Sequence, residues 1–208
     1  MGREIPEIDD KLRSWLMSQP LFFVATAPDD PEDHINLSPK GGPGSFAVLD
    51  YHTVAYLDMT GSGIETIAHL LQNGRISLMF CAFDGPHRVI RLYGTGRHVT
   101  PADDEWAAFR STFHPSDEIN SLVRAIIVVQ VELIRDSCGF VVPVMQLVTE
   151  RDQLFRWAEA RQDQLGDGWD DRYRWANNRT SIDGIPALEI GDEHADDSGK
   201  LSSIGRIL

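Results

Sequence analysis

The sequence has 208 residues, of which 42% are hydrophobic and 25% are charged, a composition typical of one globular domain with a buried core. Its 19 basic and 32 acidic side chains give a net charge of −13, which would repel nucleic acid phosphates and anionic membrane surfaces. No apolar stretch approaches the roughly 20 residues that a transmembrane helix needs, and the N-terminal residues lack the pattern of a secretory signal. We therefore expect a cytoplasmic protein whose partners are neither nucleic acids nor membranes.

The first half of the chain predicts two amphipathic helices and three strands. Apolar residues at helical spacing indicate the helices, and apolar or alternating runs bounded by turn signals indicate the strands. In the second strand the apolar residues Ile35 and Leu37 alternate with polar ones, so the two sets face opposite ways. The predicted elements are a helix over 8–16, strands over 21–27, 34–38 and 53–58, and a helix over 64–71 that stops at Asn73-Gly74.

The second half predicts three more strands and two more helices. The glycines in one of the strands indicate a bulge or bend of the kind that curves a barrel wall. The predicted elements are strands over 75–83 and 88–100, a helix over 106–113, a strongly β-branched strand over 125–136, and a helix over 149–165 with Thr149 as its candidate cap. We expect one domain over residues 1–190, followed by a polar tail over 191–208 with little structure of its own.

Six strands at hairpin spacing, interrupted by a few helices, favour an antiparallel arrangement over a parallel one. The predicted fold class is therefore mainly β, with a small antiparallel six-stranded barrel and peripheral helices.

Several segments occur in an order that resembles the pyridoxamine 5′-phosphate oxidase-related, FMN-binding split-barrel superfamily. These are "HINLSPKG" at 34–41, "VAYLDMTGSG" at 54–63, "IETIAHLLQNGRISLMFCAF" at 64–83, "RVIRLYGTGR" at 88–97, "DSCGFVVP" at 136–143 and "NNRTSIDGIPAL" at 177–188. The last two are similar to segments of an uncharacterised branch. The resemblance implies a split β-barrel that forms a homodimer and binds FMN in two clefts between the subunits.

The candidate cofactor-binding residues are polar groups beside glycines or at the start of a predicted helix. Lys40 offers an ammonium next to an open glycine backbone, and the residues from Thr60 precede a helix N-terminus. The alternative interpretations are a solvated lysine, a helix cap, a surface arginine and plain turn chemistry. We predict cofactor contacts from Asn36, Ser38, Lys40, Thr60, Gly61, Ser62, Arg91, Asn178, Arg179 and Ser181.

The apolar wall that a flavin ring needs has two candidate sources near the C-terminus. One is "CGFVVP" at 138–143, and the other is the aromatic group of Trp169, Tyr173 and Trp175. The alternative is that these aromatic residues belong to the ordinary core.

One departure from the family pattern concerns the cofactor phosphate. The vitamin-forming oxidases of the family carry an Arg-Lys pair before the short helix, and Glu65 and Thr66 stand at these positions here. Either other residues hold the phosphate, with Lys40, Arg88 and Arg91 the first candidates, or this branch binds something different. We therefore do not expect a true pyridoxamine phosphate oxidase.

Other chemistries lack their usual motifs. The sequence has no HExxH pair for zinc, no GxSxG elbow, no GxGxxG that opens a βαβ unit, and no P-loop. We predict an FMN-binding flavoprotein, an oxidoreductase that acts on an unidentified small molecule, with no catalytic residue assigned. The alternatives are the same fold with deazaflavin or haem, and a flavin-binding protein without turnover.

Overall fold

A computed structural model describes residues 2–191, and the predicted tail lies outside the described residues except for residue 191. The one-domain boundary at 190 stays a prediction. The strands are β1 (Arg3–Ile5), β2 (Leu21–Thr26), β3 (Asn36–Gly41), β4 (Phe46–Val48), β5 (Thr53–Met59), β6 (Arg75–Cys81), β7 (Val89–Val99) and β8 (Val123–Ser137). The helices are α1 (Asp10–Met17), α2 (Glu65–Asn73), α3 (Trp106–Arg110), α4 (Asp117–Leu122), α5 (Gln153–Leu165) and α6 (Trp169–Asn177).

One antiparallel sheet contains all of the strands in the order β3-β2-β6-β7-β8-β5-β4, and the short β1 pairs with the C-terminal end of β8. The two edge strands of this order, β3 and β4, are consecutive in the chain and are joined only by residues 42–45. Because each residue spans at most about 3.3–3.6 Å, so short a connection brings the two edges close together. The sheet is therefore curled into a split β-barrel.

The interior of the barrel is the main apolar core. Alternate residues of the strands point inward, including Val24, Leu78 and Leu92, and α2 contributes Ile67 to the same cluster. A second cluster lies behind β5 and β8, where Leu57 and other outward residues pack against α3 and α4. Both faces of β5 are thus buried, which positions its last residues between the barrel and the helices.

The predicted antiparallel barrel is confirmed, but the predicted number of six strands is wrong. Seven strands form the continuous sheet order, and β1 adds to it. The strands missing from the prediction are β1 and β4, which have three residues each and are too short to show an alternating pattern. The helices α4 and α6 were also not predicted. The helix predicted from Thr149 begins only at Gln153, with Asp152 at the cap position.

The bulge predicted from the glycines of β7 lies opposite Gly94, on the neighbouring strand β8. The register with β8 shifts between Tyr93 and Gly94, so that Glu132 is the extra residue on β8. A Cβ atom on Gly94 would overlap the carbonyl oxygen of Gln130, and only glycine allows this approach. The predicted end of α2 is also confirmed, since Gly74 adopts a left-handed conformation with φ of 70°.

Within residues 2–191, no helix combines the length and the apolar character that crossing a membrane requires.

Candidate functional site

A cleft of about 650 Å³ lies beside the start of β2 and the end of β3. Its size falls within the range of about 300–1,000 Å³ that is usual for small-molecule sites. The barrel forms one wall, and residues 145–155 form the other. It is lined by Ser18, Gln19, Pro20, Leu21, Pro39, Lys40, Gly41, Gly42, Met59, Phe83, Asp84, Ile119, Met145, Gln146, Leu147, Thr149, Glu150, Arg151, Leu154 and Phe155.

Three charged residues, Lys40, Asp58 and Arg124, form a charged trio beneath this cleft. The Lys40 ammonium donates to Asp58 Oδ1 at 2.8 Å, and Arg124 Nε donates to Asp58 Oδ2 at 2.8 Å. Asp58 and Arg124 are 1% and 3% exposed, whereas the Lys40 side chain is 22% exposed and lines the cleft. The trio holds two cations and one carboxylate, so it carries one surplus positive charge that reaches solvent only through Lys40.

The buried Asp58 carboxylate is kept ionised by its two cations. Burial alone would raise the pKa of Asp58, but the charges of Arg124 and Lys40 outweigh burial and lower the pKa from 3.8 to about 2. Both carboxylate oxygens therefore act as permanent acceptors near neutral pH.

A β-bulge directs Arg124 toward Asp58. Asp58 pairs with Ala125 and Met59 pairs with Val123, so Arg124 is the extra residue on β8. Bulges commonly re-aim a side chain in this way. The guanidinium also donates to the carbonyl oxygens of Gly61 and Gly63 and to Asn178 Oδ1. Arg124 thus fixes the loop before α2.

The C-terminal helix α6 is tied to the same loop. Asn178, wholly buried at the end of α6, donates to the carbonyl oxygen of Gly61 at 2.9 Å. Arg174 donates through Nε and Nη2 to Thr60 Oγ1, at 3.0 and 2.9 Å, and pairs with Asp170. The predicted residues Gly61 and Asn178 are therefore connected to Lys40 through the charged trio, and Thr60 is connected to α6 through Arg174.

A second polar group joins β3 to α2. Asn36 is buried and donates to Thr26 Oγ1 at 3.1 Å and to Thr66 Oγ1 at 3.0 Å, while Ser38 Oγ donates to Asn36 Oδ1. The predicted alternation in β3 is present, and its polar residues face inward while Ile35 and Leu37 are exposed. Asn36, Ser38 and Lys40 thus share one face of β3.

The residues in place of the Arg-Lys pair are engaged within the chain. Glu65 Oε2 accepts the backbone N–H of Ile64 at 2.9 Å, so a carboxylate stands at the start of α2. Thr66 is buried and bonded to Asn36. Neither position presents a cation to a ligand.

The remaining predicted residues lie outside this group. Arg91 is on the outer face of the sheet, between the buried Ile90 and Leu92, and its nearest polar partner is Ser137 at 3.5 Å. Ser62 is exposed, and Arg179 is exposed over the ring of Trp175. The Ser181 hydroxyl accepts the N–H groups of Asp183 and Ile185 and closes a turn. Arg88 pairs with Asp136 and covers the ring of Trp15.

The aromatic residues proposed as a flavin wall do not line the cleft. Trp169 and Tyr173 are buried against Trp157 in a small cluster between α5 and α6. The aromatic residues that do line it are Phe83 and Phe155.

Sequence reasoning missed Asp58 and Arg124. The signal for Asp58 was a single carboxylate inside an apolar strand, since Val54, Tyr56 and Asp58 alternate on one face of β5. Arg124 precedes the most strongly β-branched run of the chain. A buried carboxylate needs a cation, but which cation reaches it depends on the bulge in β8.

The comparison with protein families identifies the chain. A family model described as "Pyridoxamine 5'-phosphate oxidase" matches residues 8–138, which is more than half of the sequence. The chain belongs to the pyridoxamine 5′-phosphate oxidase family. The family protein ustO of Aspergillus flavus is 40% identical over 196 residues, which cover 87% of this chain and 76% of that protein.

Solved structures show weaker similarity. HupZ of Group A Streptococcus is 24% identical with a TM-score of 0.45, and the match covers 61% of this chain and 91% of that one. The FAD binding protein of Mycobacterium smegmatis is 17% identical with a TM-score of 0.42, covering 64% and 97%. At these scores the likeness identifies neither a ligand nor an activity.

The family match ends at residue 138, but residues after it also line the cleft. One wall, with Lys40 and Met59, comes from the matched region, and the other wall, from Met145 to Phe155, comes from the chain after it. The cleft therefore combines the barrel that the family model covers with the segment after residue 138, which we call the C-terminal extension.

Proposed function

We propose that this protein is an FMN-binding flavoprotein, an oxidoreductase that acts on an unidentified small molecule and works as a homodimer, in which the partner subunit would complete each cofactor cleft. The observation that carries the proposal is the surplus positive charge of the trio, which reaches the 650 Å³ cleft through Lys40 in a molecule with a net charge of −13. Membership in a family named for an oxidase supports it. Its cytoplasmic location stays a prediction.

The residues of the cleft fit a ring-bearing anion. Met59, Phe83, Leu154 and Phe155 supply apolar walls for a flat ring. Lys40 uses one N–H for Asp58 and keeps the others for a ligand oxygen. In this arrangement Lys40 would bind the phosphate. The Arg-Lys pair of the vitamin-forming oxidases, which Glu65 and Thr66 replace here, is then not needed.

The protein's contribution would be binding, orientation and exclusion of water. A bound FMN supplies hydride transfer, the redox chemistry for which no side-chain motif is present. Lys40 would hold the anionic end, and Asp58 would keep the ammonium in place by accepting its hydrogen bond. The apolar walls would keep water from the ring.

The outer face of the sheet supports a homodimer. Leu37, Ala25, Ser77, Tyr93 and Leu133 form one row across five strands, with their side chains on the face opposite to the core. Leu37 is 67% exposed, and Ile35 beside it is 74% exposed. Exposed apolar side chains grouped on one sheet face are typical of an interaction surface, and here they are Ile35, Leu37 and Tyr93. In the proposed dimer a second copy covers it.

Leu37→Asp is expected to convert the dimer to a monomer. The change removes an apolar contact worth about 1.5–3 kcal/mol per subunit and places a carboxylate in the interface. Sedimentation equilibrium measures the result, and Leu71→Asp is the matched control because Leu71 is exposed on α2. A wild-type monomer, or a Leu37→Asp dimer of unchanged affinity, would contradict the proposed interface.

The visible spectrum of the purified protein tests the cofactor. We expect flavin bands at ~370 and ~450 nm, or their appearance with a tight binding isotherm when FMN is added. A Soret band would favour haem, and a chromophore that shows neither a Soret band nor the ~450 nm flavin band would favour deazaflavin. If the protein binds flavin but no small-molecule donor reduces it, the result would favour a flavin-binding protein without turnover. A colourless protein that does not bind added FMN would refute the proposal.

A further inference from the structure

The wall of the cleft that is formed by the chain after residue 138 contains an arginine, Arg151. Residues 149–155 place Arg151, Leu154 and Phe155 along the cleft, opposite the barrel residues Lys40 and Met59. Arg151 is exposed and lies two residues before the start of α5.

Arg151 is the one arginine within residues 2–191 that has no partner in that part of the chain. The other arginines there contact carboxylates, carbonyl oxygens, side-chain oxygens or aromatic rings. The Arg151 guanidinium is therefore available to a ligand in the cleft that it lines. Its guanidinium keeps five N–H donors in a planar fork that suits a phosphate or carboxylate.

The charge of the proposed ligand exceeds the surplus charge of the trio. A phosphate monoester carries about −1.5 to −2 at pH 7, whereas the charged trio offers one surplus positive charge. Two exposed carboxylates, Asp84 and Glu150, also line the cleft and oppose an anion. Lys40 by itself therefore does not neutralise the whole negative charge of the phosphate.

We propose that Arg151, supplied by the C-terminal extension, is the second phosphate-binding residue of the cleft and determines its selectivity for FMN over riboflavin. This inference rests on the proposed function, because it takes FMN as the ligand. Lys40 approaches the phosphate from the barrel wall and Arg151 from the extension. The extension thereby supplies a cation from a part of the chain that the family match does not include.

Titration of the full-length protein with FMN and with riboflavin tests this assignment. Arg151→Ala is expected to weaken FMN binding by about 10-fold or more while riboflavin binding stays within about 2-fold, because only FMN carries the phosphate. Arg151→Lys is expected to recover part of the loss, since it restores the charge without the planar fork. Arg156→Ala is the control, because Arg156 pairs with Asp152 and does not line the cleft.

The outcomes separate this inference from the proposed function. If the wild type binds FMN and Arg151→Ala binds it equally well, Arg151 is not a phosphate ligand and the proposed function stands. If Arg151→Ala weakens the binding of FMN and of riboflavin to the same extent, Arg151 affects the shape of the cleft without contacting the phosphate. The inference is then overturned. If the wild type binds neither flavin, the proposed function fails, and the inference fails with it.

Discussion

Asp58→Asn is expected to lower the free energy of unfolding by about 3–5 kcal/mol, the largest effect of any single substitution proposed here. The asparagine would leave Lys40 and Arg124 close together without the carboxylate that both contact. Arg124 is almost fully buried, so its charge cannot be compensated by water. Urea denaturation at pH 7 measures the loss, and Asp104→Asn, at an exposed position, is the control.

The same carboxylate gives the wild type a defined acid sensitivity. The folded-state pKa of Asp58 is about 2 and lies below its ordinary value of 3.8, so its contribution to stability is complete above about pH 4. The contribution decreases as the pH falls from there toward 2, and the difference between wild type and Asp58→Asn should narrow over that interval. Adding Lys40→Ala to Asp58→Asn should restore part of the stability, because it removes one of the two uncompensated cations. A loss below about 1 kcal/mol for Asp58→Asn would contradict the role of the trio.

Lys40→Ala is expected to weaken FMN affinity by about 1.5–3 kcal/mol, the usual contribution of a hydrogen bond to a charged group. The reason is that Lys40 is the member of the charged trio that lines the cleft. Isothermal titration with FMN measures the change.

The control for Lys40→Ala is Lys11→Ala, since Lys11 is exposed on α1 and does not line the cleft. The Lys40 variant should fold, because Asp58 keeps its hydrogen bond to Arg124. Unchanged FMN affinity in a folded Lys40→Ala variant would remove Lys40 from the site. It would leave the split barrel and the family assignment as they are.

Much of the barrel could be predicted because its long strands and helices carry a local pattern. The helix α1 is predicted from its apolar spacing and ends before Pro20, and β8 is predicted from its run of β-branched residues. The end of α2 at Gly74 is predicted from the glycine alone, because glycine readily adopts the left-handed conformation that ends a helix. The short strand β4 has no such signal, because three residues are held in place by their pairing with β5.

The site was harder to predict, because its residues come from distant parts of the chain. Lys40 was a candidate because its ammonium lies next to an open glycine backbone that an oxyanion can approach, and Asn178 because it lies in a dense polar segment. Neither signal revealed that Arg124 connects them. Arg91 shows the converse case: its neighbours on β7 are apolar, but the alternation of the strand turns it to the outer face.

The sequence by itself determined the class of fold and the family, because hydrophobic periodicity, turn residues and the order of motifs are local properties of the chain. The tertiary structure decided which charges meet. A bulge on β8 places Arg124 against Asp58, and the curl of the sheet brings β3 beside β5, so that Lys40 shares the same carboxylate. A charged group takes its role from the partners that lie within hydrogen-bonding distance, and those partners are set by packing between segments far apart in sequence.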